Sequence, residues 1–208
     1  MYRLIQICCI KIIGIGRRIL MKYYKLTMDM ERENDIVCHY QDDLGLQQNI
    51  FNVGKVYEGW DGKFEFYYDK TEGYVLTDYI ANDKGWFVVS DKLQNILKTM
   101  NTEIQFLPVR IVEKNSNEVL EKYSIANITR VVDALCLEKS DYFETEIPGI
   151  GIIYTVSKYS IYSEKTCDSD IFKLSNNNEI PIFVSERFKK IMEEENITGI
   201  CLREIKVA

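Results

Sequence analysis

Short hydrophobic runs separated by polar clusters recur along most of this chain, and they predict strands first. YYKLTM (23–28), KFEFYYD (63–69), YVLTDYI (74–80), IQFLPVRIV (104–112) and GICLREIKV (199–207) all read as strands. YYKLTM is expected at a sheet edge, and the aromatic-rich pieces between 46 and 80, broken by glycine turns, as short antiparallel strands. Proline has no N–H to give to a ladder, so Pro108 places 104–112 at an edge or a bulge. The polar run DMERENDIVCHYQDDLG (29–45) reads as loop, IANDKGW (80–86) and SNNNEIP (175–181) as turns, and EKNSNE (113–118) as a hairpin turn. YSIANITRVVDALCLEKSDYF (123–143) begins as a strand and continues as a mixed stretch, and EIPGIGIIYTVSKYSIY (146–162) becomes strand-rich after its Pro-Gly punctuation.

Two stretches switch to a helical period, and they match each other. FVVSDKLQNIL (87–97) and FVSERFKKIM (183–192) each run from a hydrophobic strand through a serine and an acid into an apolar helical face. Ser90 and Ser185, 95 residues apart (185 minus 90), stand where a helix N-cap belongs, and Asp91 and Glu186 suit the positive end of the helix dipole. Leu93, Ile96 and Leu97 in one copy answer to Phe188, Ile191 and Met192 in the other, with Asn101 and Asn196 as stops. Strand, serine cap and helix form a common unit, so recurrence of a stable unit is preferred to a true internal duplication. Neither serine is expected to be a nucleophile, because the single histidine, His39, lies in an unrelated loop. The expected fold is α+β, mostly antiparallel short strands with at least two strand, serine-cap, helix, strand units, in one domain over residues 21–208.

Composition narrows the class of protein. A chain of 208 residues buries enough surface to fold without disulfides, and 46% hydrophobic with 28% charged residues describe a soluble globular protein. Net charge of -6 and a pI near 5.0 argue against nucleic acid as a partner and favour a basic protein. Cysteines at 8, 9, 38, 136, 167 and 201 show no Cys-x-x-Cys spacing, which points to reduced thiols in a cytoplasm. LIQICCIKIIGIG (4–16) is broken by Lys11 and followed by Arg17 and Arg18, too short for a span of about 20 residues and in the wrong order for a secretory signal. Residues 1–20 therefore read as an upstream extension outside the fold, with a packed or membrane-touching segment as the second choice and a signal peptide as the last.

Candidate chemistry is sparse. CHYQDD (38–43) gathers Cys38, His39, Asp42 and Asp43, but without a second ligand pair a solvated loop is preferred to a metal site, and no metal or cofactor is expected. GIG at 14–16 and 149–151 resembles part of a dinucleotide fingerprint without its third glycine. EKSDYFETE (138–146) concentrates acids with two aromatic rings, and 14 tyrosines supply amphipathic contact area. Loops on a rigid scaffold carry recognition, so the expected partner-binding residues are Asp42, Asp43, Glu58, Trp60, Asp61, Asp141, Tyr142 and Glu144. Two rival expectations remain: an enzyme of unrecognised type working through Cys38–Asp43 with Glu65 or Asp69 nearby, and a membrane-associated accessory protein anchored by 4–16.

Four segments then add a family likeness. DYIANDKGWFVVSDKL (78–93) followed by IQFLPVRI (104–111), then YSIANITRVVDALCLEKSDY (123–142) and IFVSERFKKIMEEENITGICLREI (182–205), resemble in order the immunity protein family numbered eleven in bacterial polymorphic toxin systems. The likeness runs from Met21 to Ile205, with one departure: Cys136 stands where that family commonly carries an acid. The resemblance implies a non-catalytic cytoplasmic protein that binds a cognate toxin domain and neutralises it by occlusion. It supplies no catalytic residues, and the acidity of the chain would suit a basic toxin.

Overall fold

The computed structural model describes residues 21–149, 151–175 and 179–208. The segment 1–20, with its expected extension and its cysteines, lies outside the described residues. In chain order the strands are β1 (Tyr23–Met28), β2 (Val37–Cys38), β3 (Glu65–Tyr68), β4 (Tyr79–Asn82), β5 (Val88–Ser90), β6 (Ile104–Glu113), β7 (Val119–Ile128), β8 (Val131–Val132), β9 (Asp141–Ile147), β10 (Gly151–Lys158), β11 (Ser160–Ile161), β12 (Ile171–Leu174), β13 (Ile182–Ser185) and β14 (Ile200–Val207). Helix α1 (Asp91–Leu97) follows β5, and α2 (Glu186–Glu194) follows β13. The α+β expectation is overturned: strand makes up 42% of the structure and helix 12%. Two short helices are too little to form a layer of their own.

Two six-stranded sheets carry the molecule, one in the order β2-β4-β5-β7-β6-β3 and the other β8-β12-β13-β1-β14-β11. Read in those orders the pairings agree in direction throughout: parallel, antiparallel, antiparallel, antiparallel, parallel. Registers agree too. Ser90 faces Tyr123 and Ser185 faces Tyr23, while Val109 faces Tyr123 and Ile205 faces Tyr23. The recurrence therefore extends through both sheets and is larger than a shared local unit. In the first half β7 follows β6 directly; in the second its counterpart is β1, moved to the front of the chain. YYKLTM is thus a central strand bonded on both sides, not an edge. The pieces at 46–80 are corrected as well, since β3 pairs in parallel with β6, and β2 lies inside the stretch expected to be loop.

The sheets curl into a near-barrel and a half-barrel. His39 and Tyr67 exchange two backbone hydrogen bonds of 2.8 Å, closing the first sheet into a near-barrel. The bridge between Leu135 and Ile161 joins the ends of the second. Strands between the barrels are covered on both faces, which accounts for their uninterrupted apolar spelling. Val88 and Ile125 point into the first barrel with Phe64, Phe66 and Trp86, whereas their neighbours Val89 and Ala126 point into a core shared by the two sheets. In the second half Tyr23, Phe172 and Phe183 fill the barrel, and Tyr24, Ile171 and Val184 enter the shared core. The helices contribute Leu93, Leu97, Phe188 and Met192 to that core.

The serine caps form as expected. Ser90 Oγ accepts from Leu93 N at 3.2 Å and Ser185 Oγ from Phe188 N at 3.1 Å, each contributing about 1 kcal/mol. The same hydroxyls donate to Asp78 (2.7 Å) and Asp170 (2.8 Å). Each aspartate then reaches across to the segment beyond the opposite helix: Asp78 accepts from Thr198 N at 3.0 Å, Asp170 from Asn101 N at 2.9 Å. The two halves are locked reciprocally. Gly199 allows the close approach, because a Cβ there would lie 2.2 Å from the Tyr79 carbonyl oxygen. Asn196, at φ 51°, ends α2 as expected, but α1 stops at Leu97, short of Asn101, whose backbone serves the lock instead. Pro108 precedes a register shift between Val109 and Ile111, the bulge its position implied, although β6 is not an edge.

Candidate functional site

The eight expected partner-binding residues fall on two connections that occupy the same position in the two halves. Asp42, Asp43, Glu58, Trp60 and Asp61 lie between β2 and β3; Asp141, Tyr142 and Glu144 lie between β8 and β11. The two connections have opposite fates.

The first folds back onto its barrel. Phe51 is buried with its ring 4.9 Å from Trp86, and Trp60 packs on Phe51, Tyr57 and Phe64 while its Nε1 donates to the Pro108 carbonyl at 2.9 Å. Gln105 holds Tyr57 by both backbone groups at 2.8 Å. Two buried lysines anchor the same segment: Lys84 Nζ donates to the Leu46 carbonyl (2.7 Å) and lies 4.1 Å from the Tyr40 ring, and Lys173, from the other half, donates to the Phe51 carbonyl (2.6 Å). Burial holds the Lys173 amine down at about 8. It has no opening to solvent, so its lowered basicity reflects packing rather than a reagent site.

Trp60 is therefore mainly a packing residue. The acids of this connection are engaged locally: Asp42 and Asp43 accept from Leu44 N and Gly45 N at 2.8 Å, and Asp61 binds Lys63 through both backbone (3.0 Å) and ammonium (2.7 Å). The Lys63 side chain pulls the Asp61 carboxyl below its ordinary range. Glu58 is exposed.

The second connection stands off the body as a two-stranded hairpin, β9 with β10. Its turn uses Pro148 and Gly149, the latter at φ 81°. Opposed residues share a face, which puts Tyr142, Glu144 and Glu146 with Val156, Tyr154 and Ile152 on one side, and Phe143 and Thr145 with Thr155 and Ile153 on the other. Tyr142 and Tyr154 meet edge to face at 5.4 Å. Asp141 pairs with Lys158 at 2.9 Å near the base, a bond that lowers the carboxyl's pKa, whereas Glu144 and Glu146 have no ion-pair partner among the described residues. Val156 packs against the second barrel's core; Phe143 (72% exposed) and Ile152 (52%) face solvent.

Phe143, Glu146, Ile152 and Tyr154 were absent from the sequence-based set. The signal was there: two strand-like runs, DYFETEI and GIIYTVSK, bracket a Pro-Gly turn, but they read as two unrelated segments when the chain is divided at Glu146.

The Cys38–Asp43 loop does not assemble a reaction centre with Glu65 or Asp69. Cys38 is buried, and burial pushes its thiol up to about 12, far from the thiolate a nucleophile requires. His39 is bonded instead to Asp83 (Nδ1, 2.9 Å) and Glu72 (Nε2, 3.0 Å). Glu65 pairs with Arg110, and Asp69 with Thr71 and Lys114. Among the described residues no group of histidine, cysteine and carboxylate side chains is arranged to hold a metal, and no helix is long and apolar enough to cross a membrane.

No curated protein matches the chain. A family model does, over nearly its whole length, spanning both barrels, the shared core and both connections. Through that match over residues 22–207, the chain belongs to the Immunity protein family (Imm11).

Proposed function

We propose that this protein protects a bacterial cytoplasm by binding a cognate toxin domain and covering its active site or an adjacent surface, without catalysis and with residues 21–208 as the working domain. The observation that carries the reading is membership of an immunity protein family along the whole described scaffold. Neutralisation by occlusion asks for a rigid body that presents a surface, and two curled sheets locked through a common core supply such a body. The net charge of -6 favours a basic toxin, since complementary fields accelerate encounter and reject wrong partners.

The test is co-expression. The C-terminal domain encoded by the reading frame next to this gene should arrest growth when expressed alone, and residues 21–208 expressed with it should restore growth and co-purify with it. A neighbouring product that is harmless alone, or that kills equally in the presence of this protein, disproves the reading.

A further inference from the structure

The β9–β10 hairpin has features the fold itself does not demand. The first half closes its barrel with no hairpin at this position, and an isolated two-stranded ribbon is marginally stable in water. Three of the large exposed hydrophobic side chains nevertheless sit on it: Tyr142 (36% exposed), Phe143 (72%) and Ile152 (52%). They are split between its faces, with Phe143 on one side and Tyr142 and Ile152 on the other. A flat partner would cover only one side; a cleft covers both. Along the tyrosine face the charges are Glu144 and Glu146, neither balanced by a cation among the described residues.

We infer that the hairpin is the element that enters the toxin, filling a cleft whose walls carry lysine or arginine side chains above an apolar floor. This rests on the neutralisation reading. An eight-residue strand gives the ribbon a reach of about 25 Å, enough to occupy a cleft along its length. Tyr142 and Tyr154 form an edge-to-face aromatic pair beside Glu144, with Glu146 one step nearer the turn opposite Ile152, so an apolar anchor and unbalanced charge share one face. The same carboxylates would be repelled by an anionic lipid surface and by the ribbon of a second copy of this chain, which leaves a cationic protein as the occupant.

The experiment measures binding of the full chain to the toxin domain from the adjacent reading frame by calorimetry at two salt concentrations, with sedimentation of the chain alone. Glu144→Lys with Glu146→Lys should weaken binding by about 100-fold and remove most of its salt dependence, and Phe143→Ser with Ile152→Ser by at least about tenfold. Both pairs are exposed and should leave the melting temperature unchanged. A charge-matched control, Glu121→Lys with Glu194→Lys, should bind like the natural chain. If the natural chain binds and both hairpin variants bind equally well, the inference is wrong while neutralisation stands. A natural chain that self-associates through the hairpin, becoming monomeric in the serine variant, also overturns it. If the natural chain does not bind at all, both readings fall together.

Discussion

The β2–β3 connection and the β8–β11 connection start from the same place in two copies of one scaffold and end differently. The first carries Phe51, Tyr57, Trp60 and Phe64, and it folds inward because those rings complete the first barrel's core. The second carries its large side chains on both faces of a ribbon, so no single surface of the body can bury them, and it projects. Connections at one topological position can thus be absorbed into the scaffold or left projecting into solvent. What decides is the placement of apolar side chains, not their number.

The largest expected effects test whether the halves are locked as symmetrically as their bonds indicate. Asp170 is buried and serves Ser185, Arg187 and the Asn101 amide. Asp170→Ala should cost about 3 kcal/mol in urea unfolding, because it strands the buried Ser185 hydroxyl and also removes the bonds from the Asn101 amide and Arg187. Asp78→Ala removes the matching bonds to Ser90 and Thr198 and should cost about 2 kcal/mol. A loss from one alone would mean that the two locks are not equivalent.

The contrast between connections predicts a split of similar size. Trp60→Ala should destabilise by about 2 kcal/mol, since it removes packing on Phe51 and Phe64 and the bond to Pro108. Phe143→Ala should change stability by less than about 0.5 kcal/mol. Equal effects would show that the hairpin is part of the core after all.

A smaller effect is expected from undoing the chain order. Tyr23 pairs with Ile205, so the start of β1 lies beside the end of β14, just as the hairpin at 114–118 joins β6 to β7. A permutant carrying residues 21–29 behind Ala208 through a short Gly-Asn linker should fold to within about 1 kcal/mol of the natural chain. A permutant that does not fold would refute the equivalence of β1 and β7.

That permuted order also explains what the sequence concealed. The serine caps, the helix faces, the Lys114–Glu118 turn and the closing strand were legible because each depends on neighbours in the chain. The centrality of β1 was not, because its partners β13 and β14 come more than 150 residues later and its counterpart follows, rather than precedes, the helix of the other half. A search at the 95-residue offset stops at the strands on either side of each helix. The parallel pairing of β3 with β6 was hidden for a related reason: an alternating strand shows its buried face, not its partner's direction. The expected partner-binding residues fall on both connections. The sequence could not separate Trp60, which packs on Phe51 and Phe64, from Tyr142, which lies on the projecting ribbon.

The smallest expected effect distinguishes the two closures by pH. The first barrel closes at His39, whose ring lies between Asp83 and Glu72; the second closes at Leu135 and Ile161, which carry no titratable group. Burial works against the charged imidazole, but its bonds to the two carboxylates outweigh that and hold its pKa above the ordinary value. A raised pKa means that the ring's contribution to stability is complete below about 6.5 and is lost as pH rises through the higher folded value. With both carboxylates largely exposed, the contribution should stay below about 1 kcal/mol. Hydrogen exchange resolves it by site. Corrected for the intrinsic pH dependence of exchange, protection of the His39 and Tyr67 amides should fall as the ring deprotonates, while the Cys136 and Tyr162 amides at the second closure hold steady. In His39→Gln the two closures should respond alike; if protection at Tyr67 still falls with pH in that variant, the imidazole is not what latches the first barrel.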